Sequence, residues 1–212
     1  MPTLAQARDW YRDADAVHDF DHVTRVLALA ERIAQAEGAD VEIVSAAVLL
    51  HDASLGEDGG PRERAGHHER SAQFARQALA SEGWPVERVE RVVECILAHR
   101  FRETNGAEKS LEARVLYDAD KLDAIGAVGA ARAIAYAALH GTPFYREPSL
   151  RFRRGEGLEP GELHSAHHEL VFKLARIPER LHTATAIALA EERMRVLIGF
   201  FDRLGEESEG RA

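Results

Sequence analysis

A ten-residue apolar run, VEIVSAAVLL from Val41 to Leu50, stops abruptly on His51 and Asp52. No other stretch constrains the fold as tightly. Such a run is buried on every side, as a core helix or a core strand, and its length and alanines favour helix. Asp40, just ahead of it, is a suitable N-cap. The run carries the next two residues to the core, where polar groups are costly unless they are satisfied. His51 and Asp52 are therefore hard to explain as packing alone.

The rest of the chain reads as helix, and only 7% of its residues are aromatic. Apolar residues at 3.6-residue spacing predict helices over Val17–Glu37 (Val23, Val26, Leu27, Ala30, Ile33) and Val86–His99 (Val89, Val92, Val93, Ile96, Leu97). The first of these stops at Gly38. A further helix is expected from His68 to Glu82, ending near Gly83-Trp84-Pro85. Leu111–Ala119 leads to Asp120, and a small-residue helix follows from about Asp123 to His140, where Gly126 and Gly129 permit close packing. His164–Leu204 reads as two helices with a break near Ile177-Pro178, and the tail GEESEGRA is expected to fray. Residues 53–66 and 100–110 are polar loops. Gly141–Gly161 is the one long irregular segment and carries Arg146, Arg151, Arg153 and Arg154. The expected fold class is all-α, a compact multi-helix arrangement in a single domain of 212 residues.

Charge and composition exclude several classes. A net charge of −9 argues against duplex nucleic acid bound through a broad basic patch. It does not exclude a small anionic substrate, because a metal ion and a few cations invert the potential locally. The single cysteine, Cys95, allows no internal disulfide. The charged N-terminus has no apolar signal core, and no stretch approaches 18 uncharged apolar residues. A cytoplasmic protein without membrane contact is expected. The alanine-rich helical faces leave room for a homodimer.

His51 and Asp52 are joined by His22 upstream and Asp120 downstream. Consecutive helical residues point about 100° apart, but at a last turn both can converge on an ion off the helix end. That end is the negative pole of the helix dipole. A His-His-Asp-Asp set mixes nitrogen and oxygen donors, which suits Mn²⁺, Fe²⁺, Co²⁺, Ni²⁺ or Zn²⁺ with open positions. Simpler readings stand beside this one: a helix-terminal histidine can be a cap, and Asp120 could N-cap the segment after it. With an ion bound, the helical domain would be a hydrolase, because the ion activates a water at neutral pH.

The segments HDFDHVTRV, LLHDAS, GHHERSA, ILAHRF, DADKLDAIGAVGAAR and HHELVFKLARI extend from about residue 18 to the C-terminal helices. In combination they resemble the HD-domain metal-dependent phosphohydrolases, and more narrowly the small bacterial nucleotide (pyro)phosphohydrolase-like branch. The resemblance implies an all-α HD fold over residues 1–212, with the loop at about 141–161 and the two C-terminal helices covering the site. It implies His22, His51, Asp52 and Asp120 as metal ligands, and hydrolysis of a phosphate ester or anhydride. The GYP signature of the cyclic-dinucleotide branch is absent, which weakens that substrate class. The expected cofactor is a divalent ion (Mn²⁺, Mg²⁺, Co²⁺, Ni²⁺, Fe²⁺ or Zn²⁺), one ion with room for a second. In two-metal members of the family, histidines placed like His67, His68 and His99 bind the second ion; otherwise they serve phosphate binding, acid catalysis or a solvated helix end.

Among the cations, Arg25 lies one turn after His22, Lys121 follows Asp120, and Lys173 stands between Phe172 and Leu174. Each could hold a phosphate, as could Arg132 or the loop arginines, although solvent is the commoner place for Lys and Arg. Asp123, three residues after Asp120, could orient a ligand histidine or a water. His18 shares the face of His22, and Glu57 and Asp58 follow the His51-Asp52 turn. Cys95 has no histidine at a readable spacing, so covalent catalysis is not expected. The function expected is hydrolysis of a nucleoside triphosphate to a monophosphate and pyrophosphate by a metal-activated water. A phosphodiesterase or a nucleoside monophosphatase could use the same site. A non-catalytic nucleotide-binding regulatory module, or a purely structural helical protein, is the reading from another class.

Overall fold

The structure is a computed structural model that describes residues 1–11, 20–53, 66–99 and 109–211, with the backbone but not the side chain of His67. His18, Glu57 and Asp58 lie outside the described residues. Among the described residues there are ten α-helices and no strand. They divide into two compact units, one of residues 1–120 and 182–185, the other of residues 121–181 and 186–212.

In the first unit the helices are α1 (Leu4–Trp10), α2 (Phe20–Glu37), α3 (Val41–Leu50), α4 (His67–Ser81), α5 (Val86–Ala98) and most of α6 (Leu111–Asp123). The apolar run forms α3 over the expected residues, and every residue from Ile43 to Leu50 is buried. Asp40 caps it through Ile43 N–H at 3.2 Å. Its other oxygen accepts from Arg88 and Arg91, both at 3.2 Å. That carboxylate is held below its ordinary range: burial opposes its charge, but the Ile43 N–H and the two guanidinium groups outweigh it. α2 and α5 lay their apolar stripes on α3, and α4 packs on α5. Gly38, at φ +77°, turns the chain from α2 to Asp40 in a conformation that costs other residues more.

Asp118 of α6 is fully buried and accepts from the N–H groups of His182 (3.0 Å) and Thr183 (2.8 Å) and from the Thr183 hydroxyl (2.7 Å). Burial pushes its carboxyl up while these donors pull it down. Glu37 accepts from Thr185 N–H at 2.7 Å. These two carboxylates tie residues 182–185 to the first unit.

The second unit holds the end of α6, then α7 (Gly126–Leu139), α8 (Leu150–Arg153), α9 (Ala166–Phe172) and most of α10 (Ala184–Ser208). Several expectations change here. Asp123 ends α6 instead of opening the next helix. Gly126 does allow a close approach, since an added Cβ would lie 3.2 Å from Arg193 Cβ. Gly129 serves a different purpose: its Cβ would meet the Ala124 carbonyl at 2.3 Å, so it permits the tight turn between α6 and α7. The segment expected to be irregular contains α8 and is pinned by Glu162, which accepts from Ser149 N–H (2.7 Å), Ser149 Oγ (2.8 Å) and Glu159 N–H (2.6 Å). The break near Pro178 is present as two short 3₁₀ turns. The tail does not fray at Gly205; α10 continues to Ser208, and Gly205 is buried, its missing side chain leaving room for Tyr145.

Candidate metal centre

Two helix ends build the centre. α3 ends at Leu50 and α5 at Ala98, and each is capped by a histidine whose Nδ1 turns back onto the carbonyl three residues earlier. His51 Nδ1 lies 2.7 Å from Val48 O, and His99 Nδ1 makes a short contact with Ile96 O. A carbonyl oxygen carries no proton, so in the neutral rings Nδ1 holds the hydrogen and Nε2 presents a lone pair. A carbonyl on the far nitrogen is the usual means of orienting a metal-ligating histidine. The His51 and His99 rings stand 5.3 Å apart at 89°, so the negative poles of both helices bear on the same place.

His51 is fully buried, and among the described residues its Nε2 has no hydrogen-bond partner. Such an orphan is rare, because an unsatisfied buried polar atom costs about 1–3 kcal/mol. The atoms near it are donors to a cation. Asp52 Oδ2 is 3.4 Å away, and Asp52 Oδ1 lies 3.8 Å from His99 Nε2. His22, buried in the first turn of α2, brings its ring to 5.8 Å from that of His51 and its Nε2 to 3.5 Å from Asp120 Oδ1. One ligand atom each from His22, His51 and Asp52 falls within a 4.8 Å group. Donors bound to one ion at about 2.1 Å stand roughly 3.0–3.4 Å apart, close to the two shortest separations here. The donor set, its spacing and the orphaned nitrogen all fit a divalent ion.

Three of the expected ligands, His22, His51 and Asp52, thus fall in one group, with Asp120 against His22 and His99 beside Asp52. Asp120 lies within α6, three residues before its end, and does not N-cap the following helix, whose N-cap is Ile125. Arg25 is half-buried one turn beyond His22, and His68 is buried in the first turn of α4. The remaining expected residues belong to the second unit. Lys121 is half-buried there. Asp123 is buried and accepts from Arg132 Nη1 at 2.8 Å. Lys173 caps α9 and is exposed; its neighbour Leu174 is buried, but Phe172 is 53% exposed, so the apolar flanks do not draw the lysine inward. Of the loop arginines, Arg153 pairs with Glu147 and Arg151 Nε donates to Glu156 O at 3.2 Å.

Sequence reasoning missed Tyr11. Its buried hydroxyl donates to Leu49 O at 3.2 Å and accepts from Asp52 N–H at 3.3 Å. Burial, with the Asp52 charge adding to it, keeps this phenol well above its ordinary pKa. These bonds join residues 38 and 41 apart, and no local pattern marks them. Cys95 is buried in α5, where desolvation chiefly pushes its thiol up to about 12, an environment opposite to that of a reactive thiolate.

Residues 19–125 match the model of the HD domain family. The chain is 33% identical to the uncharacterized protein YpgQ of Bacillus subtilis (strain 168), covering 97% of this chain and 93% of that one. A crystal structure of B. subtilis YpgQ in complex with ADP superposes with a TM-score of 0.74 at 30% identity, covering 99% of this chain and 100% of that one. A structure from an uncultured Thermotogales bacterium, described as a predicted HD superfamily hydrolase, superposes with a TM-score of 0.63 at 28% identity, covering 96% and 90%. With residues 19–125 matching the family's model and a relative 33% identical along nearly its whole length, the chain belongs to the HD domain family.

Proposed function

We propose that this chain is a metal-dependent phosphohydrolase that cleaves a nucleotide phosphoanhydride, converting a nucleoside triphosphate and water to a monophosphate and pyrophosphate. The observation that carries this reading is the orphaned, fully buried Nε2 of His51 among the donors of His22, Asp52 and Asp120. Two helix dipoles and two carboxylates make the place suited to a cation. A relative that binds ADP supports a nucleotide as the substrate.

His22, His51, Asp52 and Asp120 would hold the ion. When bound, a divalent ion supplies an acidified water and polarises a phosphoryl oxygen. His99, with Nδ1 engaged on Ile96 O, presents Nε2 as a proton acceptor beside Asp52. Arg25 and His68, of the same unit as the centre, are assigned to the phosphate oxygens, where charge spreads in the transition state. No side-chain nucleophile is needed, in keeping with the inert environment of Cys95.

The test is a panel of nucleoside tri-, di- and monophosphates and simple phosphate esters, each with Mn²⁺, Mg²⁺, Co²⁺ and Ni²⁺, with products resolved by chromatography. Pyrophosphate and a monophosphate in equal amounts are expected from a triphosphate. Orthophosphate released from a monophosphate would move the assignment to a phosphatase, and no turnover of any compound with any ion would overturn it.

A further inference from the structure

The last carbonyls of an α-helix have no partner within the helix. At the end of α3, three successive ones are satisfied by three different groups. Val48 O meets His51 Nδ1 at 2.7 Å, Leu49 O accepts from the Tyr11 hydroxyl at 3.2 Å, and Leu50 O accepts from Ala53 N–H at 3.3 Å. Two of these partners come from the turn that carries the candidate ligands. The third comes from the end of α1, and the same phenolic oxygen accepts from Asp52 N–H at 3.3 Å. Tyr11 therefore grips this turn on both sides of His51, at the carbonyl two residues before it and at the amide of the residue after it.

The grip is backed by a braced helix. α1 opens with a capping box between Thr3 and Gln6. Trp10 packs edge-on against Phe74 of α4 at 5.3 Å, and Gln6 and the N-terminal amine both reach Glu82 at 3.3 Å. Ala7 is fully buried, and Tyr11 is 5% exposed. α1 lies outside residues 19–125, the part matching the HD domain model.

We propose that Tyr11 is a positioning residue of the metal centre: its hydroxyl fixes the backbone that presents His51 and Asp52. A tyrosine serving only as packing would be replaced without loss by phenylalanine, which has the same ring. A hydroxyl that bridges two backbone groups of the ligand-bearing turn cannot be. The inference rests on the metal centre proposed above and predicts that removing one oxygen atom from the C-cap of α1 weakens an ion held in part by His51 and Asp52, 40 and 41 positions away.

The experiment compares the full chain with Tyr11→Phe and, as a control that loosens α1 but keeps the hydroxyl, Ala7→Gly. Mn²⁺ affinity is measured by titration calorimetry, Co²⁺ coordination by its visible absorption spectrum, and folding by the metal-free Tm. Groups that orient metal ligands typically carry about 10–100-fold in metal affinity. Tyr11→Phe is expected to weaken Mn²⁺ about 10-fold and to change the Co²⁺ bands, while Ala7→Gly lowers Tm and leaves affinity and spectrum unaltered. Unchanged affinity and spectrum in Tyr11→Phe overturn the inference, as does an equal loss in Ala7→Gly, since general loosening would then explain both. These outcomes leave the proposed function standing. It falls, and this inference with it, if the unaltered chain binds neither Mn²⁺ nor Co²⁺.

Discussion

Each unit contains a cluster of histidines and carboxylates, and the two are finished differently. In the first unit, His51 has one nitrogen tied to a backbone carbonyl and the other left without a hydrogen bond among the described residues. In the second unit, His168 has both nitrogens engaged: Nδ1 accepts from Ser165 N–H (3.3 Å) and lies 2.8 Å from Ser165 Oγ, and Nε2 lies 3.0 Å from Glu162 Oε1. Both imidazoles are fully buried. Composition alone does not separate them. For these two imidazoles the difference is in satisfaction: a ring with both nitrogens engaged holds the chain, whereas one with an oriented lone pair left over among other cation donors is prepared to hold an ion. His167 Nδ1, the other orphan among the described residues of the second unit, has only one carboxylate oxygen beside it, Glu147 Oε2 at 3.8 Å.

The most forceful way to break this contrast is His51→Ala. Loss of a direct ligand is expected to weaken Mn²⁺ by at least about 100-fold, more than the effect typical of groups that only orient ligands. An ion at 100 times its Kd stabilises by about 2.7 kcal/mol, or roughly 5–10 °C in a chain of this size. That metal-dependent rise in Tm is expected in the unaltered protein and should vanish in His51→Ala. A variant that keeps the rise would remove His51 from the centre.

The reciprocal change is His168→Ala. It strips Glu162 and Ser165 of a buried partner and is expected to cost about 2 kcal/mol, seen as a lower denaturation midpoint in urea. Mn²⁺ affinity and nucleotide turnover should not move. If the ion were lost with stability intact, the two clusters would not differ in the way described.

The smallest effect sharpens the structural cluster through pH. Backbone N–H donors from Glu159 and Ser149, with His168 assisting, hold the Glu162 carboxyl down at about 2, against an ordinary value of 4.5. Because the folded value is the lower one, the unfolded chain binds more protons between them. The stabilisation is complete above pH 4.5 and is lost as pH falls toward 2. Thermal unfolding followed across that window should give a shallower fall in Tm for Glu162→Gln than for the unaltered chain. Parallel curves would show that the carboxylate charge contributes nothing.

Helices whose apolar faces repeat locally were readable in advance. The stripe of α2, the unbroken apolar run of α3, its Asp40 cap and the stop at Gly38 are all encoded within a few neighbouring residues. So was the group formed by His22, His51 and Asp52, because each sits in a recognisable segment. α1 was missed because its seven residues carry a single buried side chain, Ala7, and show no periodicity. The end of α6 was misplaced because Asp123 resembles a cap, while α7 in fact starts at a glycine with positive φ. Lys173 looked inward by its neighbours, yet Phe172 beside it faces solvent.

Sequence by itself determined an all-α chain and the side chains able to bind a cation, because helical periodicity and donor chemistry are local properties. Only the tertiary structure decided that His51 Nε2 is left without a hydrogen bond, among the described residues, beside the donors of His22 and Asp52. It also showed that a tyrosine 41 residues upstream of Asp52 closes the turn that bears it. Hydrogen-bond satisfaction depends on partners distant along the chain, and folding alone brings them together.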